Sequence, residues 1–187
     1  MGRNRDEELR QRVLAAAYQL LATMDFHHIS LNLIARHASV ASATLYRWWQ
    51  SRDQVLFDAV SEHVHGKLVA PGTGTPLMRY KAYLLHACDF LNSLDGQVFH
   101  NFFIGVRADR ALHRLYIERY WIKRYKLQTS LIEAAIFQGE LPADTDPDEI
   151  FNAINGPMFF AWYHGHCALT RRFTEKMFDR IIRTFQH

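Results

Sequence analysis

The fold can be predicted from one continuous stretch, residues 29–56, which reads ISLNLIARHASVASATLYRWWQSRDQVL. Ser30 is a good N-cap, and apolar residues recur after it on one helical face, at Leu31, Ile34, Ala35 and Ala38. Residues 39–41 are small and suit a tight turn, and residues 42–49 then form a second, very short helix. The stretch therefore predicts two short helices joined by a three-residue turn.

Such a pair is typical of a helix-turn-helix, whose second helix lays its N-terminal residues on base edges in the major groove. Arginines support a nucleic-acid partner, because seven of them lie within the first 52 residues, where there is no lysine: Arg3, Arg5, Arg10, Arg12, Arg36, Arg47 and Arg52. The first three either reach a phosphate or the minor groove, or belong to an idle terminus.

The rest of the sequence also predicts helices. Only nine glycines and five prolines interrupt it, and no segment shows the alternation of polar and apolar residues that is typical of a strand. An earlier helix stops near Asp25, and a capping box at residues 51–54 opens the helix after the quoted stretch. Later helices are expected at about 77–94, 97–107, 110–138, 147–167 and around 177–185. Their ends carry Thr75-Pro76, Gly139 and Asp146-Pro147.

The expected fold is therefore all-α, with two modules. A three-helix helix-turn-helix DNA-binding domain occupies residues 1–52, and a larger helical bundle occupies residues 53–187. Aromatic side chains are concentrated in the second module.

Composition excludes several other classes of protein. The 187 residues are 49% hydrophobic and 22% charged, with a formal net charge of +3, which is too hydrophobic for a disordered chain. No apolar run approaches the roughly 18 residues of a membrane span, and the start lacks the apolar core of a secretory signal. Cys88 and Cys167 are too few for a disulfide framework and are expected to be buried, inert thiols. A cytoplasmic location is expected.

Residues 9–60 resemble the DNA-binding module of TetR-type (tetracycline-repressor-like) transcriptional regulators. The shared pattern is a Ser or Thr that opens the second helix, Ile-Ala, a turn before Thr-Leu-Tyr, an aromatic pair, and a Ser-basic-acidic-x-Leu segment. The resemblance implies a set of DNA-binding residues: Ser30, Asn32, Ser42, Ala43, Thr44, Tyr46, Arg47, Trp48 and Arg52.

Within this set the resemblance implies distinct roles. Ser30 stands at a phosphate-binding cap, and Arg52 stands where the family has a lysine that contacts phosphate. Arg47 is a candidate base reader, since arginine can bond guanine O6 and N7 together; the alternative is a solvated residue at the helix end. Trp49 is expected to be a packing residue of the module, whereas Tyr46 and Trp48 are either DNA contacts or core.

Two positions depart from the family pattern in the turn. Ser39 replaces the usual glycine, so a positive φ there would be strained. Ala41 replaces a serine and removes the usual side-chain cap of the recognition helix.

For the second module, the resemblance implies a homodimer and a pocket for a small effector. The last two helices are the expected dimer surface, through the stripe Phe178, Ile181, Ile182 and Phe185 or the segment Ile150–Trp162; intramolecular core is the alternative. The density of aromatic residues favours a hydrophobic or aromatic effector. The expected ligand-binding residues are His86, Phe90, Phe103, Trp121, Tyr125, Asn155, Phe159 and Tyr163.

The sequence therefore predicts a DNA-binding transcriptional regulator, a repressor released from a palindromic operator by its effector. The alternative is a helical small-ligand or metal-sensing protein whose DNA-binding module is secondary or degenerate. Histidine pairs at 63 and 65 and at 164 and 166 are spaced wrongly to chelate from one helical face, and no metal or cofactor is expected. No catalytic motif is recognisable, so no enzymatic activity is expected.

Overall fold

The computed structural model describes residues 2–64, 67–165 and 167–186, with side chains from residue 6 onward. Over this part of the chain the helices are α1 (Gly2–Thr23), α2 (Leu31–His37), α3 (Ser42–Tyr46), α4 (Arg52–Val64), α5 (Pro76–Leu91), α6 (Leu94–Ala108), α7 (Arg110–Tyr116), α8 (Ile122–Phe137), α9 (Pro147–His164) and α10 (Arg171–Phe185). A 3-10 turn at Phe26–His28 follows α1, and a π-helical turn at Ile117–Trp121 joins α7 to α8. The predicted all-α fold is confirmed. None of these helices, within the described ranges, is long and apolar enough to cross a membrane.

Local sequence signals set several helix ends as predicted. The Ser30 hydroxyl accepts a hydrogen bond from the Leu33 amide at 3.1 Å and so caps α2. Thr75 and Asp146 cap α5 and α9 in the same way, and each is followed by a proline in the first helical turn. Gly139 ends α8 with φ of 74°. These ends depend on neighbouring residues only, which is why the sequence predicts them.

The capping box before α4 is present in altered form. The Ser51 hydroxyl accepts from the Gln54 amide at 3.3 Å, as predicted. The Gln54 side chain, however, accepts from the amide of Gln50 at 2.9 Å, one residue before the cap. The box thus also fixes the end of the connection from α3.

Four helices end or break where the sequence did not predict it, and one of them is α5, which stops at Leu91 and not at 94. The helix expected at 42–49 stops at Tyr46, and the chain continues in a tighter turn, with the Trp48 amide bonded to the Leu45 carbonyl at 3.0 Å. The helix expected to reach 167 stops at His164, because Gly165 adopts a φ of 61°. The helix expected at 110–138 is interrupted by the π turn.

The helices α1–α4 with α6 and α7 form one compact unit. Its fully buried side chains include Val13, Ala17, Ile34, Leu45, Leu56, Phe102 and Val106. Phe26, in the 3-10 turn, packs directly on the backbone of α6, where a Cβ at Gly105 would lie 2.3 Å from its ring. The glycine is what lets the turn after α1 pack against α6.

The helices α5, α8, α9 and α10 form a second compact unit. Its core includes Tyr80, Leu84, Ile132, Ile150 and Ile154. Phe178 and Ile182, two residues of the stripe offered as a dimer seam, belong to this core; the Phe178 ring lies 5.8 Å from that of Tyr80. Ile181 and Phe185 remain half-buried. Half of the stripe therefore packs inside the unit, and the other half remains partly accessible.

The expectation that both cysteines are buried is wrong for one of them. Cys88 is buried in α5, and burial raises the pKa of its thiol. Cys167 is exposed, because α9 has already ended at its left-handed cap. The histidines at 65 and 166, which complete the two considered pairs, lie outside the described residues, as do the side chains of Arg3 and Arg5.

Candidate functional site

The turn between α2 and α3 is a reverse turn of the kind that normally contains glycine. The Ser39 amide bonds to the Arg36 carbonyl at 3.1 Å, and the Val40 amide bonds to the Ala35 carbonyl at 3.0 Å. Ser39 adopts a φ of 54°. The predicted strain is therefore present, because a side chain in this left-handed conformation costs about 1 kcal/mol.

The recognition helix α3 is short and lacks a side-chain cap. Ala41 stands at its N-cap and makes no cap hydrogen bond with its side chain. Leu45 is fully buried and anchors the helix, whereas Ala43, Tyr46 and Arg47 are exposed. Ala43 and Tyr46 on α3, together with Arg47 directly after it, therefore form one exposed face.

The remaining predicted DNA contacts flank this face. Ser30 and Asn32 are exposed at the start of α2, and Ser42 and Thr44 are half-buried in α3. Their polar groups lie at the two helix starts, where side-chain and backbone donors are suited to phosphate contacts.

The aromatic pair after α3 divides into a core residue and an edge residue. Trp49 is 3% exposed and donates its indole N–H to the Asp58 carboxylate at 2.8 Å. Its predicted packing role is confirmed. Trp48 is half-buried and meets Trp49 edge to face, with the ring centroids 5.5 Å apart.

Arg52 makes contacts inside the unit that the sequence did not predict. Its guanidinium bonds the Asp53 carboxylate at 2.8 Å and the Ile29 carbonyl at 3.1 Å, and it lies 4.6 Å from the centre of the Phe26 ring. It therefore holds the connection before α2, and only its remaining N–H groups can reach a phosphate.

The predicted effector-binding residues divide between the two units. Phe103 is buried in the first unit, where it packs against Tyr116, while the others lie in the second unit. His86 is exposed, with Nδ1 3.4 Å from the Val69 carbonyl, and Phe90 is buried.

Two aromatic groups do form in the second unit. Trp121 stacks on Tyr125, with centroids 5.2 Å apart, and the Tyr125 hydroxyl donates to the Asp148 carboxylate. Phe159 stacks on Tyr163 at 5.5 Å. Both groups have exposed members, so they are surface features and not enclosed core.

Buried polar groups of the second unit were missed from the sequence. Asn155, which the sequence did predict, is half-buried and donates its side-chain N–H to the Tyr80 hydroxyl at 3.3 Å. Gln128 is 5% exposed, and its carbonyl oxygen has no partner among the described residues. Burial raises the pKa of Tyr83, while the adjacent Arg124 guanidinium opposes this shift. A lone polar residue within a helix resembles a solvated one, so no local signal identifies them.

Comparison with known proteins covers both modules. Residues 13–59 match the family described as bacterial regulatory proteins, tetR family, and residues 70–181 match the tetracyclin repressor-like C-terminal domain. The chain is 30% identical over 159 residues to the uncharacterized HTH-type transcriptional regulator YdeS of Bacillus subtilis. The match covers 85% of this chain and 80% of that protein.

Solved structures share the fold along nearly the whole chain. The TetR family transcription regulator SCO0332 superposes with a TM-score of 0.75 at 21% identity, over 94% of this chain and 97% of that one. The flavonoid-responsive regulator FrrA superposes with a TM-score of 0.70 at 21% identity, over 96% and 95% respectively. With both family matches and the helix-turn-helix described above, the chain belongs to the TetR family of bacterial transcriptional regulators.

Proposed function

We propose that this regulator is a homodimeric repressor that binds a palindromic operator and is released from it by a small hydrophobic or aromatic effector. DNA binding is assigned to residues 1–52, and effector binding and dimerisation to residues 53–187. The observation that carries the proposal is the exposed face of α3, formed by Ala43, Tyr46 and Arg47 on a helix anchored through Leu45. Because its partner is chromosomal DNA, the protein is proposed to act in the cytoplasm.

The proposed DNA contacts divide by chemistry. Arg47 reads a base edge, and Tyr46, 60% exposed, contacts a thymine methyl or the backbone. Ser30, Asn32, Ser42, Thr44, Trp48 and the free N–H groups of Arg52 contact the sugar-phosphate backbone. Ala43 allows close approach of α3 to the groove, because it adds only a methyl group. The register comes from the backbone contacts and the sequence preference from Arg47.

Dimerisation is assigned to the outward faces of α9 and α10. Phe159 and Phe160 are 44% and 52% exposed, which is unusual for large apolar side chains so close together. On α10, half-buried apolar residues recur every four positions, at Phe173, Met177, Ile181 and Phe185. A second copy would cover these side chains, and a two-fold axis would pair two recognition helices with two half-sites.

Effector binding is assigned to the second unit. The carbonyl oxygen of buried Gln128, which no described residue hydrogen-bonds, offers an acceptor for a donor on the effector, and the aromatic residues offer stacking surfaces. A fold neighbour described as flavonoid-responsive is compatible with an aromatic effector for this chain. An effector that prefers a dimer with wrongly spaced recognition helices would weaken operator binding by its differential affinity.

The test is selection of binding sites from a random duplex DNA pool, followed by titration of affinity against salt. The expected result is a palindromic motif and a log affinity that falls steeply and linearly with log salt. Aromatic compounds are then screened for two joint effects, a raised melting temperature and release of the selected duplex. Failure to recover any motif at micromolar protein would overturn the assignment of α3 as a base reader.

A further inference from the structure

Arg12, on α1, reaches the turn of the helix-turn-helix from outside it. Its Nη2 donates hydrogen bonds to the carbonyl oxygens of Ala38 at 2.8 Å and of Ser39 at 3.2 Å. These two residues are the C-cap of α2 and the strained residue that follows it. The bonds are charge-assisted and therefore stronger than bonds between neutral groups.

The turn needs an external support because of the residue at its centre. The same pair of backbone hydrogen bonds ends α8, where Gly139 takes the left-handed position with φ of 74°. Glycine adopts that conformation without steric cost, whereas Ser39 does not. The turn bonds also leave the carbonyls of Ala38 and Ser39 unused, and these are the ones that Arg12 takes.

The recognition helix depends on this turn for its direction. It has five residues, Ser42–Tyr46, and its N-cap Ala41 supplies no side-chain bond. A helix this short does not form by itself, because fixing the backbone of its first turn costs more free energy than its few hydrogen bonds contribute. Its placement must come from the buried Leu45 and from the turn that precedes it.

We propose that Arg12 is a positioning residue for DNA recognition. It holds the strained Ser39 turn, and so the angle of α3, without itself contacting DNA. The proposal rests on the proposed function, in that α3 is taken to read the operator. It assigns to α1 a part in sequence recognition beyond its part in the core.

The experiment compares Arg12→Ala, Ser39→Gly and the double variant with the wild type, on the duplex selected above. Affinity and its salt dependence are measured for each, and each is melted without DNA. Arg110→Ala is the matched control, because it removes one exposed positive charge from the same unit at a residue to which no DNA contact is assigned.

We expect Arg12→Ala to weaken binding of the selected duplex about tenfold more than Arg110→Ala does. The salt slope should stay that of the wild type, because no phosphate contact is lost. The double variant should bind the duplex within about twofold of the wild type, because glycine at position 39 adopts the left-handed conformation of the turn without the hydrogen bonds from Arg12.

Two outcomes would overturn the proposal. One is an Arg12→Ala affinity equal to that of Arg110→Ala. The other is a salt slope for Arg12→Ala that is smaller in magnitude than that of the wild type by about 0.9 and that stays smaller in the double variant with Ser39→Gly. That result would make Arg12 a phosphate contact. If the wild type bound no duplex, the proposed function would fail separately. The melting temperatures would then decide whether Arg12 supports the turn, since Arg12→Ala must cost less stability when combined with Ser39→Gly than it does alone.

Discussion

Arg47 is the residue on which sequence preference is expected to depend. It follows the last residue of α3, and its side chain is exposed, as a base-reading guanidinium must be in the free protein. Arg47→Ala should reduce discrimination at one base pair of each half-site by about 1–3 kcal/mol, because a bidentate contact to guanine is lost. Competition between the selected duplex and single-substitution duplexes measures this.

A matched control for Arg47 is Arg36→Ala, also an exposed arginine of the helix-turn-helix. It should leave the ranking of the duplexes unchanged. Arg52→Ala is a poorer control, because it also frees the Ile29 carbonyl and the Phe26 ring. Equal loss of discrimination with Arg36→Ala and Arg47→Ala would refute the role given to Arg47.

Tyr80 makes stability sensitive to alkaline pH. Burial raises the pKa of its phenol, so the folded protein holds this proton more tightly than the unfolded chain does. The associated stability is complete below about pH 10 and is lost as the pH rises from there toward the folded pKa. Urea unfolding of the wild type and of Tyr80→Phe between about pH 8 and pH 11.5 should show a shallower alkaline decline for the variant. Parallel profiles would show that Tyr80 does not contribute.

At the level of elements, the sequence predicts what depends on neighbouring residues. Three helices begin as expected at their N-caps, Ser30, Thr75 and Asp146, and α8 ends as expected before Gly139. Each cap involves residues within four positions of one another. The exposed face of α3 also follows from its spacing, because buried Leu45 fixes the opposite side.

Contacts between distant elements are what the sequence does not predict. Arg12 and Ser39 are 27 positions apart, and nothing in the spacing of either indicates that they meet. From the sequence, Arg52 is predicted only as a phosphate contact, whereas in the structure its guanidinium lies over the ring of Phe26 in the 3-10 turn. Phe103 reads as a pocket residue, although its helix packs in the first unit. Side-chain type alone does not tell which unit a helix joins.

The packing of α6 on the 3-10 turn gives a prediction about elements. Gly105→Ala should lower the free energy of unfolding by about 1–3 kcal/mol, because its methyl group would overlap the buried Phe26 ring. Gly72→Ala is the control, since nothing lies within 4 Å of a Cβ there, and it should change stability by less than about 0.5 kcal/mol. Chemical denaturation measures both, and equal stabilities would contradict this packing.

At the scale of the whole molecule, the exposed phenylalanines of α9 allow the proposed dimer interface to be tested. Phe160→Glu should raise the dimer dissociation constant at least about a hundredfold, because two-fold symmetry would bury two unpaired carboxylates. Light scattering with size-exclusion chromatography measures the mass, and affinity for the palindromic duplex should fall with it. Phe137→Glu, at an even more exposed phenylalanine that ends α8, is the control and should remain dimeric. A dimeric Phe160→Glu would place the interface elsewhere.

The discontinuous first unit has a consequence for how the protein is made. Its helix-turn-helix precedes α5 in the chain, yet Phe26 and Phe57 pack against Phe102 of α6. A nascent chain on the ribosome therefore completes its first unit only after α6 and α7 have left the exit tunnel, with α5 already synthesised between the two parts. Until then those aromatic rings lack their partner, and chaperones that bind exposed apolar segments have their first opportunity to act.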